Sequence, residues 1–227
     1  LMALKTKEEK ADLGIALDGD ADRVVFSDEN GELIDCDQIL GVLALNLYNQ
    51  KQLKNNTVVG TVMTNIGFEN FLNHNNINLK RVKVGDRYIL DEMLKNNYNL
   101  GGEPSGHVIM SDHTKSGDGL LTAIKIISLL KKSGKKASKF LRPFSVTPYK
   151  IKNLKKIQNN ILDNESVKNS LKEIQLDLQN KYRGRLLVRP SGTEPILRIL
   201  IECEFDDKID QYMSKVQVLL EKVNASE

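Results

Sequence analysis

The sequence predicts two units of different class: an α/β domain on a mixed, largely parallel sheet, then a small α+β domain with an antiparallel sheet. Three observations carry this. From residue 13 to about residue 130, short apolar runs alternate with helical apolar stripes, the pattern of βα units. Lys131 to Lys139 is basic and rich in small residues, and Arg142-Pro143 and Thr147-Pro148 follow, which puts a boundary near Pro143. Beyond it, Ile196 to Phe205 sets Leu197, Ile199, Ile201 and Cys203 on one wholly apolar face. Arg198, Glu202 and Glu204 fall on the other, as in a strand covered on one side.

Taken in order, Leu1, Leu4 and the Lys/Glu-rich residues to Lys10 read as the last turns of an uncapped amphipathic helix, so the chain is expected to be a fragment of something longer. Leu13 to Leu17 is a strand, Asp18-Gly19-Asp20-Ala21-Asp22-Arg23 a loop, and Val24 to Phe26 a second strand. Asp28 to Gly31 is a hairpin turn, followed by Glu32-Leu33-Ile34. Asp35 or Asp37 caps a helix running to about Gln50. Thr57 to Val62 is a buried strand, and Asn65 caps a short helix carrying Phe68, Phe71 and Leu72. Leu79 to Val84 is a strand, and Gly85-Asp86-Arg87-Tyr88 opens a helix. Asn99 to Gly102 and Val108 to Met110 are short strands, and Gly117-Asp118-Gly119 opens a helix with Leu120, Leu121, Ile124 and Ile127. In the second part, Val146 to Lys152 and Arg185 to Arg189 read as strands. Val167, Leu171, Ile174 and Leu178 form one helical stripe, and Ile209 to Val223 makes a closing amphipathic helix.

Composition narrows the function classes. The chain has 227 residues, 40% of them hydrophobic, enough for a sizeable core. A net charge of +3 and the absence of Trp argue against nucleic acid as a partner. Cys36 and Cys203 lie far apart and form no CxxC pair, which suggests a reducing compartment. No apolar run approaches the length of a membrane span, and no signal peptide is evident. The expectation is a soluble, cytoplasmic chain with a small-molecule substrate and no membrane partner. The oligomeric state stays open, a homodimer being one option.

The chemistry centres on Asp18, Asp20 and Asp22. Three carboxylates within five residues repel one another unless something positive sits among them. Mg²⁺ takes oxygen ligands at about 2.0–2.1 Å and leaves positions for phosphate oxygens. A solvated turn is the plain alternative. A calcium loop is the other: Asp18, Asp20, Asp22 and Glu29 stand at positions 1, 3, 5 and 12, but Arg23 stands where glycine is required. Mg²⁺ with a phosphate partner is favoured.

Two further loops suit a sugar phosphate. In Gly101-Gly102-Glu103-Pro104-Ser105-Gly106-His107, an extended backbone would put Glu103, Ser105 and His107 on one face, suited to sugar hydroxyls. A water-facing Gly-Pro turn is the alternative. In Arg189-Pro190-Ser191-Gly192-Thr193-Glu194-Pro195, an arginine, two hydroxyls and a glycine amide suit a phosphate dianion, and Arg198 could join them. A tight hairpin with an exposed arginine is equally compatible. Asp86 and Asp118 also suit helix N-caps, with Arg87 an exposed first-turn residue. His74 and His113 read as surface residues.

The motifs DGDADR, GDRY, GEPSGH, SGDG and RPSGTEP, in that order, resemble the α-D-phosphohexomutase superfamily, and within it the bacterial phosphoglucosamine mutases. The resemblance spans nearly the whole chain and implies four domains in the complete protein. Residues 1–23 would be the end of domain 2, 24–143 domain 3 and 144–227 domain 4. It implies interconversion of glucosamine 6-phosphate and glucosamine 1-phosphate through a phosphoserine and a 1,6-bisphosphate, towards UDP-N-acetylglucosamine and cell-wall synthesis. It gives Asp18, Asp20 and Asp22 to Mg²⁺, and Arg23 to the transferring phosphoryl group. Glu103, Ser105 and His107 would hold the sugar, with Arg87 a further substrate contact. Arg189, Ser191, Gly192, Thr193 and Arg198 would hold the phosphate that does not react. The family's phosphoserine lies in a Ser-His loop, and no Ser-His pair occurs in these residues, so the chain is expected to be inactive alone. Pro104 stands where glutamine is usual in phosphoglucosamine mutases, which removes an amide and a side-chain donor. Phosphomannomutase or phosphoglucomutase activity, or a non-catalytic sugar-phosphate module, are the alternatives.

Overall fold

The computed structural model describes residues 1–155, 159–191 and 196–224, and the chain divides into two units, Leu1–Val146 and Thr147–Glu227. Among the described residues no helix is long and apolar enough to cross a membrane.

The first unit opens with α1 (Met2–Glu8) and a three-stranded antiparallel sheet in the order β1 (Leu13–Leu17), β2 (Val24–Asp28), β3 (Leu33–Ile34). The turn between β2 and β3 is built on Asp28, whose buried carboxylate accepts from the Asn30 and Glu32 amides and from Arg142 Nη1 at 2.6 Å. Asp35 caps α2 (Cys36–Asn49) by accepting from the Asp37 amide.

A second sheet runs in the order β5 (Asn78–Val82), β4 (Thr57–Thr61), β6 (Leu100–Gly102), β7 (Val108–Met110). β4 is parallel to β5 and β6, and β7 is antiparallel. Two helices make the crossovers: α3 (Ile66–His74), capped by Asn65, and α4 (Asp86–Asn96). Neighbours on β4 point into different cores. Val58 joins Phe68, Leu72 and Leu100 beneath α2 and α3, and Val59 joins Ile89, Met93 and Ile109 beneath α4. Burial on both faces is why this strand reads as a continuous apolar run. Because β4, β5 and β6 are parallel, the segments after them, 62–65, 83–85 and 103–107, lie at one edge of the sheet, where open α/β sheets bind ligands. α5 (Gly119–Ser133), capped by Asp118, and α6 (Ala137–Phe140) complete the unit.

In the second unit β10 (Ile196–Glu202) lies between β8 (Tyr149–Lys155) and β9 (Arg185–Pro190), antiparallel to both. Leu197, Ile199, Ile201 and Cys203 are fully buried. They pack with Val167 and Leu178 of α7 (Glu165–Tyr182) and with Ile209, Tyr212, Val216 and Leu220 of α8 (Asp206–Asn224). Full burial of such an aliphatic side chain is worth about 1.5–3 kcal/mol, so this one-sided layer is the main stabilising contact of the unit. The opposite face of β8 is open, with Tyr149 and Ile151 exposed.

One reading of the sequence is corrected here. α1 does not face the core through Leu1 and Leu4, which are exposed; it docks through Thr6, whose hydroxyl meets Ser27 Oγ at 2.8 Å. In so short a helix a polar side chain with a buried partner outweighs the apolar stripe.

Candidate active site

Asp18, Asp20 and Asp22 occupy the loop between β1 and β2. A two-strand register that pairs Leu17 with Val24 forces them into a tight turn. One carboxylate oxygen from each lies within 4.8 Å of the others. An octahedral Mg²⁺ takes oxygens at about 2.1 Å and keeps positions for water or phosphate oxygens, so three clustered carboxylates suit it in hardness and leave part of its shell open. Arg23 holds the cluster together. Its Nε lies 2.8 Å from Asp18 Oδ2 and 3.3 Å from Asp22 Oδ1, and its amide donates to Asp18 Oδ1 at 3.2 Å. Desolvation pushes Asp18 up, but the Arg23 amide and guanidinium outweigh it and keep the carboxyl below its ordinary range. Asp22, then Asp18, hold the Arg23 guanidinium above its usual value.

The calcium alternative does not survive the geometry. β2 is extended, so Glu29 stands roughly 16 Å along it from the aspartates. Its carboxylate is occupied by the Ser138 amide and hydroxyl.

Ala21 sits in the left-handed region at φ 58°, a strained conformation for alanine. Its carbonyl accepts the Gly119 amide at 2.9 Å, which ties the loop to the start of α5. A Cβ on Gly119 would lie 2.7 Å from the Arg23 carbonyl, so only glycine allows this approach.

The Glu103 to His107 segment is a turn, not an extended strand. The Gly106 amide donates to the Glu103 carbonyl, and Gly106 adopts φ 99°. The turn separates the three side chains expected on one face. Ser105 is exposed and donates to Glu103 Oε1 at 2.7 Å, whereas His107 is buried with Nδ1 3.2 Å from Asp22 Oδ2. Backbone pairing of Arg23 with His107, and the Val24 amide on the Gly106 carbonyl, dock this turn against the aspartate loop. Arg87 begins α4 after β5, at the same sheet edge, with its side chain 86% exposed and Asp91 3.7 Å away, a pair too open to hold it. Gly85 is the N-cap of α4, and the Asp86 carboxylate accepts from the Arg87 amide instead.

In the second unit Arg189 and Arg198 are direct cross-strand neighbours on β9 and β10. Ser191 follows at the end of β9, its amide on the Ile196 carbonyl. Gly192 and Thr193 lie outside the described residues. Burial, with Arg198 adding, pushes the Arg189 guanidinium down.

Ser116-Gly117-Asp118-Gly119 reads from the sequence as a helix start and a motif, with no role given to its glycines. Two glycines flanking a helix cap are the signal for close backbone approach, but nothing local says what approaches. Cys36 opens α2 near the Gly106 amide. Burial, with Asp37 and Asp35 adding, pushes its thiol well up, so it is no rival nucleophile.

Residues 35–145 match the family model for phosphoglucomutase/phosphomannomutase, alpha/beta/alpha domain III, and residues 146–217 match the model of that family's C-terminal domain. The chain belongs to the phosphoglucomutase/phosphomannomutase family. It is 43% identical over 218 residues to a phosphoglucosamine mutase of Caldanaerobacter subterraneus subsp. tengcongensis, and 44% identical over 212 residues to one of Zymomonas mobilis. Those alignments cover 95% and 93% of this chain but 48% and 47% of the relatives, so the chain spans about half the length of the curated relatives it matches. Among solved structures, a phosphoglucomutase/phosphomannomutase family protein of Burkholderia thailandensis superposes with TM-score 0.79 at 19% identity, over 97% of this chain and 48% of that one. The N-acetylphosphoglucosamine mutase of Aspergillus fumigatus, solved with GlcNAc-6P and magnesium, gives 0.77 at 16%, over 90% of this chain and 51% of that one. At these identities the likeness is one of fold.

Proposed function

We propose that this chain is the metal- and phosphate-binding part of a cytoplasmic phosphoglucosamine mutase, which interconverts glucosamine 6-phosphate and glucosamine 1-phosphate. The observation that carries the reading is the aspartate triad, three hard donors within reach of one cation, on a chain 43% identical to a phosphoglucosamine mutase. In this reading residues 1–23 close family domain 2, residues 24–143 form domain 3 and residues 144–227 form domain 4. A phosphoserine supplied from outside these residues gives its phosphoryl group to the sugar O1, and the O6 phosphate of the resulting bisphosphate returns to the serine. The 227 residues alone are then inactive.

Mg²⁺ held by Asp18, Asp20 and Asp22 neutralises charge on the transferring group. Arg23 pairs with the aspartates through Nε and keeps half of its side chain exposed, which leaves the guanidinium accessible to phosphoryl oxygens. Glu103 and Ser105, already bonded to each other at the exposed turn, receive the sugar hydroxyls. Arg87 is free to swing onto the substrate. Arg189, Arg198 and Ser191, with Gly192 and Thr193, hold the phosphate that is not reacting. An anchor that reads only a phosphate serves both orientations of a bisphosphate. The magnesium and GlcNAc-6P of the Aspergillus fumigatus structure support the choice of cation and substrate class.

The test is the parent polypeptide assayed on glucosamine 6-phosphate, glucose 1-phosphate and mannose 1-phosphate, with Asp20→Asn beside it. The glucosamine ester should turn over fastest, and Asp20→Asn should abolish turnover while the circular dichroism spectrum stays unchanged. Faster turnover of glucose or mannose phosphate overturns the substrate, and wild-type activity in the variant overturns the metal assignment.

A further inference from the structure

We infer that the cleft between α2 and α5 is a second ligand site, for a small organic phosphate with a flat apolar body, of the nucleoside diphosphate class. It lies at the edge of the sheet where β4 and β6 begin, opposite the edge that carries the Glu103 turn, and it is independent of the mutase reading.

The cleft encloses about 650 Å³, a size typical of small-molecule sites. Two of its walls are helix faces. α2 presents Leu43, Asn46, Leu47 and Gln50, and α5 presents Lys125, Ser128, Leu129 and Lys132. Each set falls at i, i+3, i+4 and i+7, one stripe of a helix. Leu43 and Met110 are buried, whereas Lys51 and Lys132 are exposed, so the cleft is apolar in its depth and cationic at its rim. A slot of this kind between two helices suits a flat apolar body with a charged end. A third wall is pinned in place. Asn99, 2% exposed, accepts from the Lys54 amide at 2.9 Å and donates to the Gln52 carbonyl at 2.9 Å and to Asp112 Oδ2 at 2.6 Å. The segment it anchors holds Lys51 at φ 58°, a left-handed position where glycine or asparagine is usual after a helix.

Charge decides the class of ligand. Four lysines, Lys51, Lys54, Lys125 and Lys132, line the cleft against one carboxylate, Asp112. Lys54 takes that carboxylate at 2.5 Å. Among the described residues Lys51, Lys125 and Lys132 have no carboxylate partner, and Lys125 is half-buried. Ammonium groups gathered round one hollow repel one another until an anion joins them. A diphosphate accepts from several such donors at once. Asn46, Gln50 and Ser128 add neutral donors and acceptors of the kind that a base edge or a ribose needs.

The experiment is calorimetric titration of ADP, UDP, pyrophosphate and adenosine into the chain carrying Arg189→Gln, in EDTA. The substitution and the chelator silence the two phosphate sites proposed above. A nucleoside diphosphate should bind about tenfold or more tightly than pyrophosphate or adenosine, because the cleft reads body and charge together. Adding Lys125→Gln and Lys132→Gln should weaken that binding by about tenfold or more. Adding Lys131→Gln and Lys136→Gln instead removes the same charge at exposed positions outside the cleft and should leave it within about twofold. Failure of both nucleotides to bind overturns the site. Pyrophosphate binding as tightly as the nucleotides, or equal weakening by the two pairs of substitutions, reduces it to a basic surface and overturns it as well. None of these results touches the mutase reading, which the sugar-phosphate assays decide.

Discussion

Arg198 of β10 stands directly opposite Arg189 of β9 on one face of the second unit's sheet. Like charges directly opposed across a strand pair are destabilising, by up to about 1 kcal/mol. Nε of Arg189 is buried without a hydrogen-bond partner, and burial first, then Arg198, lowers the basicity of its guanidinium. A dianion placed over the pair converts repulsion into charge-assisted hydrogen bonds.

Inorganic phosphate should therefore raise the melting temperature of the chain, and the gain should vanish in Arg189→Gln. Without phosphate, the same variant should be as stable as wild type or slightly more so, because one of the opposed charges is gone. Thermal melts with and without phosphate at constant ionic strength check this. Equal protection of wild type and variant would rule out the arginine pair as the anion site.

Gly106 is the hinge of the Glu103 to His107 turn. It adopts φ 99°, and a Cβ there would lie 2.6 Å from the Val24 carbonyl. Gly106→Ala should cost about 3 kcal/mol in unfolding free energy, from backbone strain and collision together. Chemical denaturation measures it, and a loss below about 1 kcal/mol would show that the turn and the aspartate loop separate without cost.

The Tyr212 hydroxyl donates to Asp177, a contact that joins α8 to α7. Burial first, then Asp177, pushes the phenol well above its ordinary value, and Lys181 with Tyr212 holds Asp177 below its own. A phenol raised in the folded state stabilises fully below its unfolded value near pH 10 and loses that contribution as pH climbs through the folded one. Wild type should thus weaken above about pH 10, and Tyr212→Phe should weaken less steeply there. Denaturation midpoints from pH 8 to 11 decide it, and identical alkaline slopes would remove Tyr212 as the responsible group.

Much of this protein was legible in its residues. Apolar period 2 in Leu197, Ile199 and Ile201 reports burial on one side, because successive side chains of a strand face opposite ways. Runs such as Thr57 to Thr61 report a strand covered twice, and the asparagine and aspartate caps at Asn65, Asp35 and Asp118 mark helix starts by their own short side chains. The aspartate triad was equally readable, since all three donors fall within five residues and a two-strand turn must gather them.

What composition and spacing could not say was where distant segments meet. His107 reaches Asp22 across 85 positions, and Arg189 faces Arg198 only because β9 and β10 pair in one register and not its neighbour. The Glu103 to His107 segment looked extended by its alternation, yet one left-handed glycine turned His107 inward and left Ser105 in water. The sequence by itself determined the elements, their classes and the donor types gathered in each loop, because those follow from backbone periodicity and from residues close along the chain. Only the tertiary structure decided that His107, at the end of the Glu103 turn, faces the aspartate loop, because that contact depends on the clearance at Gly117, which no local pattern encodes.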